Sequence, residues 1–162
     1  MPWFEDIEIG TRTEIGTHTF GEDEIIRFAT KYDPQPFHID PVAAKTGPFG
    51  GLIASGWHTT ATWMKLMVPH IRGRVEKPDE DGRTPAAGPS PGFLNMKWPT
   101  PVLPGDTISY STTVVEKLDM RSRPGWGILR SRNEGVNQKG ELVLSFIGQA
   151  LIERKTPARE TK

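Results

Sequence analysis

The spacing of apolar residues divides the chain into a mixed first half and a strand-rich second half. Residues 11–20 alternate loosely and are rich in threonine, which predicts a strand. Residues 21–32 repeat apolar side chains every three or four positions, which predicts an amphipathic helix. Beyond them, a short strand within residues 92–106 precedes three long strands over residues 106–120, 125–138 and 140–155. This order predicts an α+β domain in which a curved antiparallel sheet wraps around a helix.

The first helix carries signals at both of its ends. Thr19 lies three residues before Glu22, which is the spacing of a capping box. Three acidic residues follow at 22–24, where the helix dipole favours negative charge. The residue before a proline avoids the α conformation, so Pro34 predicts that the helix ends near Asp33.

A second helix is predicted from Ser55 or Gly56 to Val68, where Pro69 stops it. Much of its surface is apolar, so we expect it to be largely buried. The face expected to pack inward contains Trp57, Ala61, Met64 and Val68, widened by Trp63 and Met67.

The connections are rich in proline and glycine. A short helical turn is predicted at 42–45, and residues 137–140 predict a hairpin turn between the last two strands. Residues 69–91 hold five prolines and little periodicity, and this stretch is long beside a median connection of about 4–6 residues. We therefore interpret 69–91 as a mobile flap or an insertion.

Composition narrows the classes of function. The chain of 162 residues predicts one domain over 1–155, followed by a polar, frayed tail at 156–162. Twenty basic and twenty acidic residues cancel, so the charge gives no reason to expect a nucleic-acid or membrane partner. The absence of cysteine excludes disulfides and thiolate metal sites. No run reaches the roughly 20 apolar residues of a membrane span, and a cytoplasmic protein is expected.

Candidate chemistry is concentrated in the segment YDPQPFHIDP at 32–41. Asp33 and His38 fit an acid–base pair, because a carboxylate can take a proton from water while an imidazole orients that water or passes a proton on. The prolines between them would hold their geometry. The alternative is a turn without chemistry. Asp40 precedes Pro41, which favours a helix start.

A complementary group lies near residue 56. Gly56 opens the predicted buried helix, and free amides at a helix N-terminus point at anions. Such a donor could hold the enolate oxygen of a thioester whose α-proton is acidified by its carbonyl. The alternatives are a hinge at Gly56 and a simple helix cap at Ser55.

The segment FATKYDPQPFHIDPVAAKTGPFGGLIASGWHTTA resembles the signature segment of MaoC-like dehydratases, which include the (R)-specific enoyl-CoA hydratases. The resemblance extends to WPTPVLPGDTI and to the closing strands. It implies a hot-dog fold, and a homodimer or dimer of dimers with joined sheets and tunnels near the interface. It also implies an acyl-CoA substrate, with no metal or redox cofactor.

By position, the resemblance assigns Asp33 and His38 as the catalytic pair and Gly56 as the oxyanion-hole amide. The implied reaction adds water to C3 of a 2-enoyl thioester, or reverses that addition. Three positions depart from the family: Gln35 replaces an asparagine, Ser55 replaces a frequent histidine, and Met64 replaces a serine that some members carry. Gln35 and Ser55 are candidate substrate-binding residues.

Several alternatives stay open. Arg121 and Arg123 are candidates for binding the phosphates of coenzyme A, as are Arg130 and Lys97. The pair His38–Asp40 could begin an iron site, although only His58 and His70 follow it. The chain lacks the Gly-x-Ser-x-Gly elbow of a serine hydrolase around residue 55. A thioesterase on the same scaffold, or a non-catalytic acyl-CoA-binding module, are the competing functions.

Overall fold

The structure, a computed structural model, describes residues 2–72 and 78–158. A short 3-10 helix at Phe4–Asp6 comes first. The helices are α1 (Glu22–Tyr32), α2 (Pro36–Ile39), α3 (Pro41–Ala44) and α4 (Gly56–Arg72). The strands are β1 (Arg12–Thr19), β2 (Phe93–Lys97), β3 (Thr107–Asp119), β4 (Trp126–Val136) and β5 (Leu142–Glu153). The predicted α+β order is confirmed.

The strands form one five-stranded antiparallel sheet in the order β1-β3-β4-β5-β2. Strands β3, β4 and β5 follow one another as hairpins, and the predicted turn at 137–140 is confirmed, with the Gly140 amide donating to the Asn137 carbonyl at 3.0 Å. Gly140 has a φ of 82°, a conformation that glycine adopts without steric cost. The sheet packs one face against α4, where Trp63 meets Phe146 edge to face.

The main core lies between the sheet and the helices. Its fully buried side chains include Phe20, Ile25, Ile108, Tyr110 and Leu144, each 0% exposed. Burying such large apolar groups supplies most of the driving force for folding. A smaller cluster of Phe4, Ile7 and Ile152 closes the far end.

The buried face of α4 differs from the one that periodicity predicted. Trp57 and Met64 are 52% and 51% exposed, and Ala61 is exposed too, so the predicted inward face is wrong for these three residues. Trp63, predicted to widen that face, is buried, and beside it the helix buries a polar set that was not predicted, His58, Thr59 and Thr62. Threonine hydroxyls can bond the carbonyl one turn back, as Thr59 does to Ser55 at 3.4 Å, and this makes polar residues compatible with burial.

Two predicted helix boundaries are wrong. Helix α4 continues through Pro69 to Arg72, because a proline removes one amide donor without forbidding the last turn from forming. The N-cap of α1 is Gly21 rather than Thr19, and the Glu24 side chain accepts from the Gly21 amide at 3.2 Å. The predicted end of α1 is confirmed, with Asp33 as its C-cap.

The predicted long loop at 69–91 is partly helical, because α4 occupies its first four residues. Residues 73–77 lie outside the described part of the chain. Asp79 accepts from the Arg83 amide at 2.8 Å, and the Ala86 amide donates to the Glu153 carboxylate at 2.9 Å. Within this stretch, the part from Asp79 to Ala86 is therefore held by hydrogen bonds, both internally and to β5.

The tail is described as far as Ala158, whose amide donates to the Pro124 carbonyl at 2.8 Å. The rest of the predicted frayed segment, 159–162, lies outside the described residues. Among the helices of 2–72 and 78–158, none is both long and apolar enough to cross a bilayer.

Candidate active site

Asp33 is placed by the end of α1. Its amide donates to the Ala29 carbonyl at 2.8 Å, the last helical bond, and its backbone then leaves the α region with φ −153° and ψ 66°. Pro34 follows, which explains this departure sterically. The side chain is thereby turned away from the helix towards the segment that precedes α4.

His38 is held by α2, a one-turn helix that was not predicted. Pro36 opens it, a position that suits proline because the first helical amide has no partner anyway. The Nδ1 atom of His38 lies 2.8 Å from the Ile53 carbonyl oxygen, and the Ile53 amide donates to the Phe37 carbonyl at 3.1 Å. A carbonyl only accepts, so Nδ1 carries the proton. The ring is 5% exposed.

The two side chains face each other. Nε2 of His38 lies 3.4 Å from Oδ2 of Asp33. The Ser55 hydroxyl donates to Oδ2 at 2.7 Å, and the Gln35 amide donates to Oδ1 at 2.8 Å. Ser55 and Gln35, predicted to bind substrate, therefore contact the carboxylate directly.

These contacts decide the charge of Asp33. Burial raises the pKa of the Asp33 carboxyl. The hydrogen bonds from Ser55 and Gln35, together with the electrostatic effect of His38, lower it by a larger amount, so the net pKa lies below its ordinary value. Hydrogen bonds to an ionised carboxylate stabilise that form. Asp33 is therefore ionised at neutral pH.

Ser55 also begins α4. Its Oγ accepts from the Trp57 amide at 3.2 Å, and its carbonyl accepts from the His58 amide at 2.9 Å. The Gly56 amide has no acceptor among the described residues. Ser55 thus contacts both Asp33 and the N-terminus of α4, called the helix tip below, where the Gly56 amide remains an unpaired donor.

Sequence reasoning missed Trp98, which covers this tip. A Cβ atom at Gly56 would lie 2.5 Å from the Trp98 ring, so no other residue fits position 56 without movement. The indole donates to the Thr60 hydroxyl at 3.2 Å and meets Trp57 edge to face at 5.3 Å. The sequence offered one signal for it, a large aromatic residue directly after β2.

The pair and the tip suit one kind of chemistry. In the tautomer with the proton on Nδ1, Nε2 of His38 is an acceptor, and ionised Asp33 is also an acceptor. Two acceptors 3.4 Å apart are complementary to a water molecule that donates to both. The Gly56 amide, one residue after Ser55, is a further hydrogen-bond donor near this pair.

Asp40 is the N-cap of α3. Its carboxylate accepts from the Val42 and Ala43 amides at 2.9 and 3.0 Å, as the helix-start prediction required. Helix α3 begins at Pro41 and ends at Ala44, one residue earlier at each end than predicted. In the described ranges, no three His, Asp or Glu side chains are grouped as metal ligands.

The structure does not bring the predicted phosphate-binding arginines to this pair. Arg121 and Arg123 are exposed in the turn after β3, whereas Val102, just before β3, bonds to Ala54 beside the site. The 13 residues of β3 separate the two ends by about 40 Å at the usual rise. Arg130 instead pairs with Glu116 at 2.7 Å, and Lys97 is exposed on β2.

Two cavities flank the helices. One, of about 320 Å³, lies between α1 and α4 and includes Tyr32, His58 and three cations, Arg27, Lys31 and Lys65. The other, of about 500 Å³, lies between the later turns of α4 and the sheet. Neither cavity includes Asp33 or His38.

Solved structures share this architecture. A MaoC-like dehydratase from Rhodospirillum rubrum is 34% identical, with a TM-score of 0.78 over 96% of this chain and 99% of that one. The R-hydratase PhaJ1 from Pseudomonas aeruginosa is 21% identical, with a TM-score of 0.64 over 99% of this chain and 93% of that one. The second likeness shows the fold, so the predicted hot-dog arrangement is confirmed.

Sequence relatives agree. The protein YdeM of Bacillus subtilis, described as uncharacterized, is 32% identical over 93% of this chain and 98% of its own length. A mesaconyl-CoA hydratase from Cereibacter sphaeroides is 34% identical over 67 residues, which are 41% of this chain and 19% of that enzyme. The model of the MaoC-like domain family matches residues 6–127. The chain therefore belongs to the MaoC-like domain family, as the resemblance implied.

Proposed function

We propose that this protein is a hydro-lyase that adds water to a 2-enoyl thioester of coenzyme A, or removes water from the 3-hydroxyacyl thioester. Asp33 and His38 act on the water, and the Gly56 amide binds the thioester oxygen. The observation that carries the proposal is the 3.4 Å approach of two acceptors, Asp33 Oδ2 and His38 Nε2, beside a helix tip with an unpaired donor. The hydratases among the relatives support the reaction class.

The proposed steps balance without a change of oxidation state. Water donates one hydrogen bond to His38 Nε2 and gives its other proton to Asp33 as its oxygen bonds to C3. The C2–C3 double bond opens, and negative charge moves onto the thioester oxygen at Gly56. Asp33 then returns the proton to C2. The reaction needs neither a metal nor a redox cofactor, because only a proton and a hydroxyl are added.

The charge state of Asp33 fits its role. A carboxylate with a lowered pKa is ionised when water arrives. Once protonated, it is a strong acid and returns its proton readily to an enolate. The hydrogen bonds from Ser55 and Gln35 hold the carboxylate in one orientation, which is worth several kcal/mol when reacting groups must be aligned.

Hydration of crotonyl-CoA, followed by the loss of enone absorbance, tests the pair. Asp33→Asn and His38→Ala should each lower turnover by about 10²-fold or more. Asp40→Asn is the matched control: it removes one negative charge seven residues away, while asparagine still caps α3. Its turnover should stay close to that of the wild type.

The same samples separate the competing functions. Free thiol release without loss of the enone band would identify a thioesterase. Saturable binding of crotonyl-CoA with neither change would identify a binding module. Near-normal hydration by both Asp33→Asn and His38→Ala would show that the pair is structural.

The proposal includes a homodimer with joined sheets. Strand β2 lies at the edge of the sheet and exposes Phe93 and Leu94 at 51% and 41%, while Trp57 and Met64 are exposed on α4. An open edge flanked by apolar side chains suits pairing with a second copy. Sedimentation equilibrium, which gives the mass of the assembly, tests this; a single-chain mass would reject it.

A further inference from the structure

The smaller cavity, between α1 and α4, is bordered by positive charge that no carboxylate balances. Three of its lining residues are cations, Arg27 and Lys31 on α1 and Lys65 on α4. All three are exposed, and in the described part of the chain none of them forms an ion pair. Arg130 and Arg154, by contrast, each pair with a carboxylate. Because like charges one helical turn apart repel, an anion beside Arg27 and Lys31 would stabilise both.

Glu24 is the one carboxylate among the described residues that line this cavity, and it is already engaged. Its Oε1 atom accepts from the Gly21 amide at 3.2 Å and lies 2.8 Å from Nε2 of His18. With His18 and His58 counted as neutral, three cations and one carboxylate leave a net charge of +2 on the lining. A dianion would balance this charge, whereas a monoanion would leave one positive charge unbalanced.

The inner wall of the cavity holds a buried imidazole without a polar partner. His58 lines the cavity and is 7% exposed. Its ring stacks on Phe28 at 4.4 Å, and its Nδ1 atom has no hydrogen-bond partner among the described residues. Buried polar groups are nearly always bonded to protein, water or a ligand. This side chain is therefore a second sign, independent of the surface cations, that the cavity accepts a polar occupant.

The charge and size of the cavity favour a phosphate group over a carboxylate. A phosphate monoester carries a charge of about −1.5 to −2 at neutral pH and three strong acceptor oxygens. The guanidinium of Arg27 can bind two of these oxygens at once, while lysine acts as a point charge. A volume of about 320 Å³ lies at the lower end of the range of small-molecule pockets, about 300–1,000 Å³, so the group attached to the phosphate is small.

We propose that this cavity binds a small phosphate monoester, held by the three cations, at a site separate from that of the thioester. The inference does not rest on the proposed hydration, because neither Asp33 nor His38 lines the cavity. The two walls are α1, whose C-cap is Asp33, and α4, which begins at Gly56. A bound phosphate would therefore link the two helices that position the candidate active site.

Calorimetric titration of the full chain with two anions of similar shape tests the site. Methyl phosphate is largely a dianion at about pH 7.5, because its second pKa is about 6, whereas methyl sulfate is a monoanion. At constant ionic strength, methyl phosphate should bind with one-to-one stoichiometry. Methyl sulfate should bind about ten-fold more weakly, because one positive charge would stay unbalanced.

Single charge removals locate the binding site. Arg27→Gln and Lys65→Gln should each weaken the binding of methyl phosphate about five-fold, which corresponds to the loss of one exposed charge pair. Lys139→Gln is the matched control, because Lys139 is exposed in the turn between β4 and β5 and does not line the cavity. It should bind as the wild type does. Far-UV circular dichroism checks that all three variants are folded.

The imidazole on the inner wall gives a second, local measurement. In proton NMR spectra at about pH 7.5, the ring resonances of His58 are assigned by their absence from His58→Phe. They should shift as methyl phosphate is added, with a midpoint equal to the calorimetric dissociation constant, because His58 lines the same cavity as the three cations.

Four results would overturn the proposal. Absence of saturable binding of methyl phosphate would mean that the cations form only a solvated surface. Equal affinity for methyl sulfate would show that the site does not select a dianion. Equal loss of affinity in Lys65→Gln and Lys139→Gln, or binding that leaves the His58 resonances unmoved, would place the anion elsewhere. Displacement of methyl phosphate by coenzyme A, one molecule for one, would assign the cations to the phosphates of the thioester instead of a separate ligand.

Discussion

His58 provides a test of how burial controls charge in this fold. It is 7% exposed on α4. Its ring stacks on Phe28 at 4.4 Å with an interplanar angle of 6° and meets the edge of Phe20 at 5.0 Å. Its Nδ1 atom is buried without a partner. A charged imidazole would therefore lose its hydration and gain little in return.

The pKa of His58 falls accordingly from 6.5 to about 4. Burial is the main cause. The carboxylate of Glu24 opposes it, while positive charge at His18, Arg27 and Lys65 acts in the same direction as burial. The folded protein thus keeps His58 neutral across a pH range in which an unfolded chain protonates it.

The effect on stability follows from proton linkage. Below about pH 6.5 the unfolded chain binds a proton that the folded chain does not bind until about pH 4, so the free energy of unfolding decreases as pH falls through this window. Above the window both states are neutral and the contribution vanishes. Between about pH 7 and pH 5 the expected loss is about 2 kcal/mol, a sizeable part of a typical 5–15 kcal/mol.

Guanidinium denaturation of the wild type and His58→Phe at about pH 7, pH 6 and pH 5 measures this loss. Phenylalanine keeps an aromatic ring in the cluster and cannot bind a proton. The wild type should lose about 2 kcal/mol relative to the variant between the two extremes. Parallel pH dependences for the two proteins would refute the reasoning, because His58 would then titrate alike in both states.

Two further predictions concern the helix tip and the carboxylate. Gly56→Ala should destabilise the protein by about 1–3 kcal/mol, as overpacking does, because its Cβ would lie 2.5 Å from the Trp98 ring. In a double-mutant cycle followed by denaturation, adding Trp98→Ala should recover most of that loss. Purely additive losses in the two variants would contradict this prediction. Ser55→Ala removes a hydrogen bond that lowers the pKa of Asp33, so the acid limb of the pH–rate profile for hydration should move to higher pH. An unchanged acid limb would mean that Asp33 does not control that limb.

The strands along the chain and the proximity of Asp33 to His38 were accessible from the sequence for the same reason. Alternation of polar and apolar residues is a local property of a strand, and a short proline-rich segment keeps a carboxylate and an imidazole near each other whatever the tertiary structure. The contact between Ser55 and Asp33 spans 22 residues. No local pattern reports it, although both residues were candidates.

The exposed face of α4 shows where such reasoning fails. Periodicity predicts that the most apolar face of a helix is buried. Trp57 and Met64 lie on that face of α4, yet both are about half exposed. His58, Thr59 and Thr62 are buried instead: the Thr59 hydroxyl bonds to the Ser55 carbonyl within the helix, and the His58 ring packs against two aromatic rings. The orientation of a helix depends on all of its neighbours, which the sequence of the helix alone does not contain.

The His38 ring is held in place by a hydrogen bond to the main chain. The acceptor for Nδ1 is the carbonyl of residue 53, which every amino acid type supplies equally. Alanine scanning would therefore not detect this hydrogen bond. Natural variation at position 53 would also leave the tautomer of the imidazole unchanged. Weakening the hydrogen bond requires an altered backbone at that peptide unit, such as an ester in place of the amide, and this change would also remove the Ala54 amide that donates to the Val102 carbonyl.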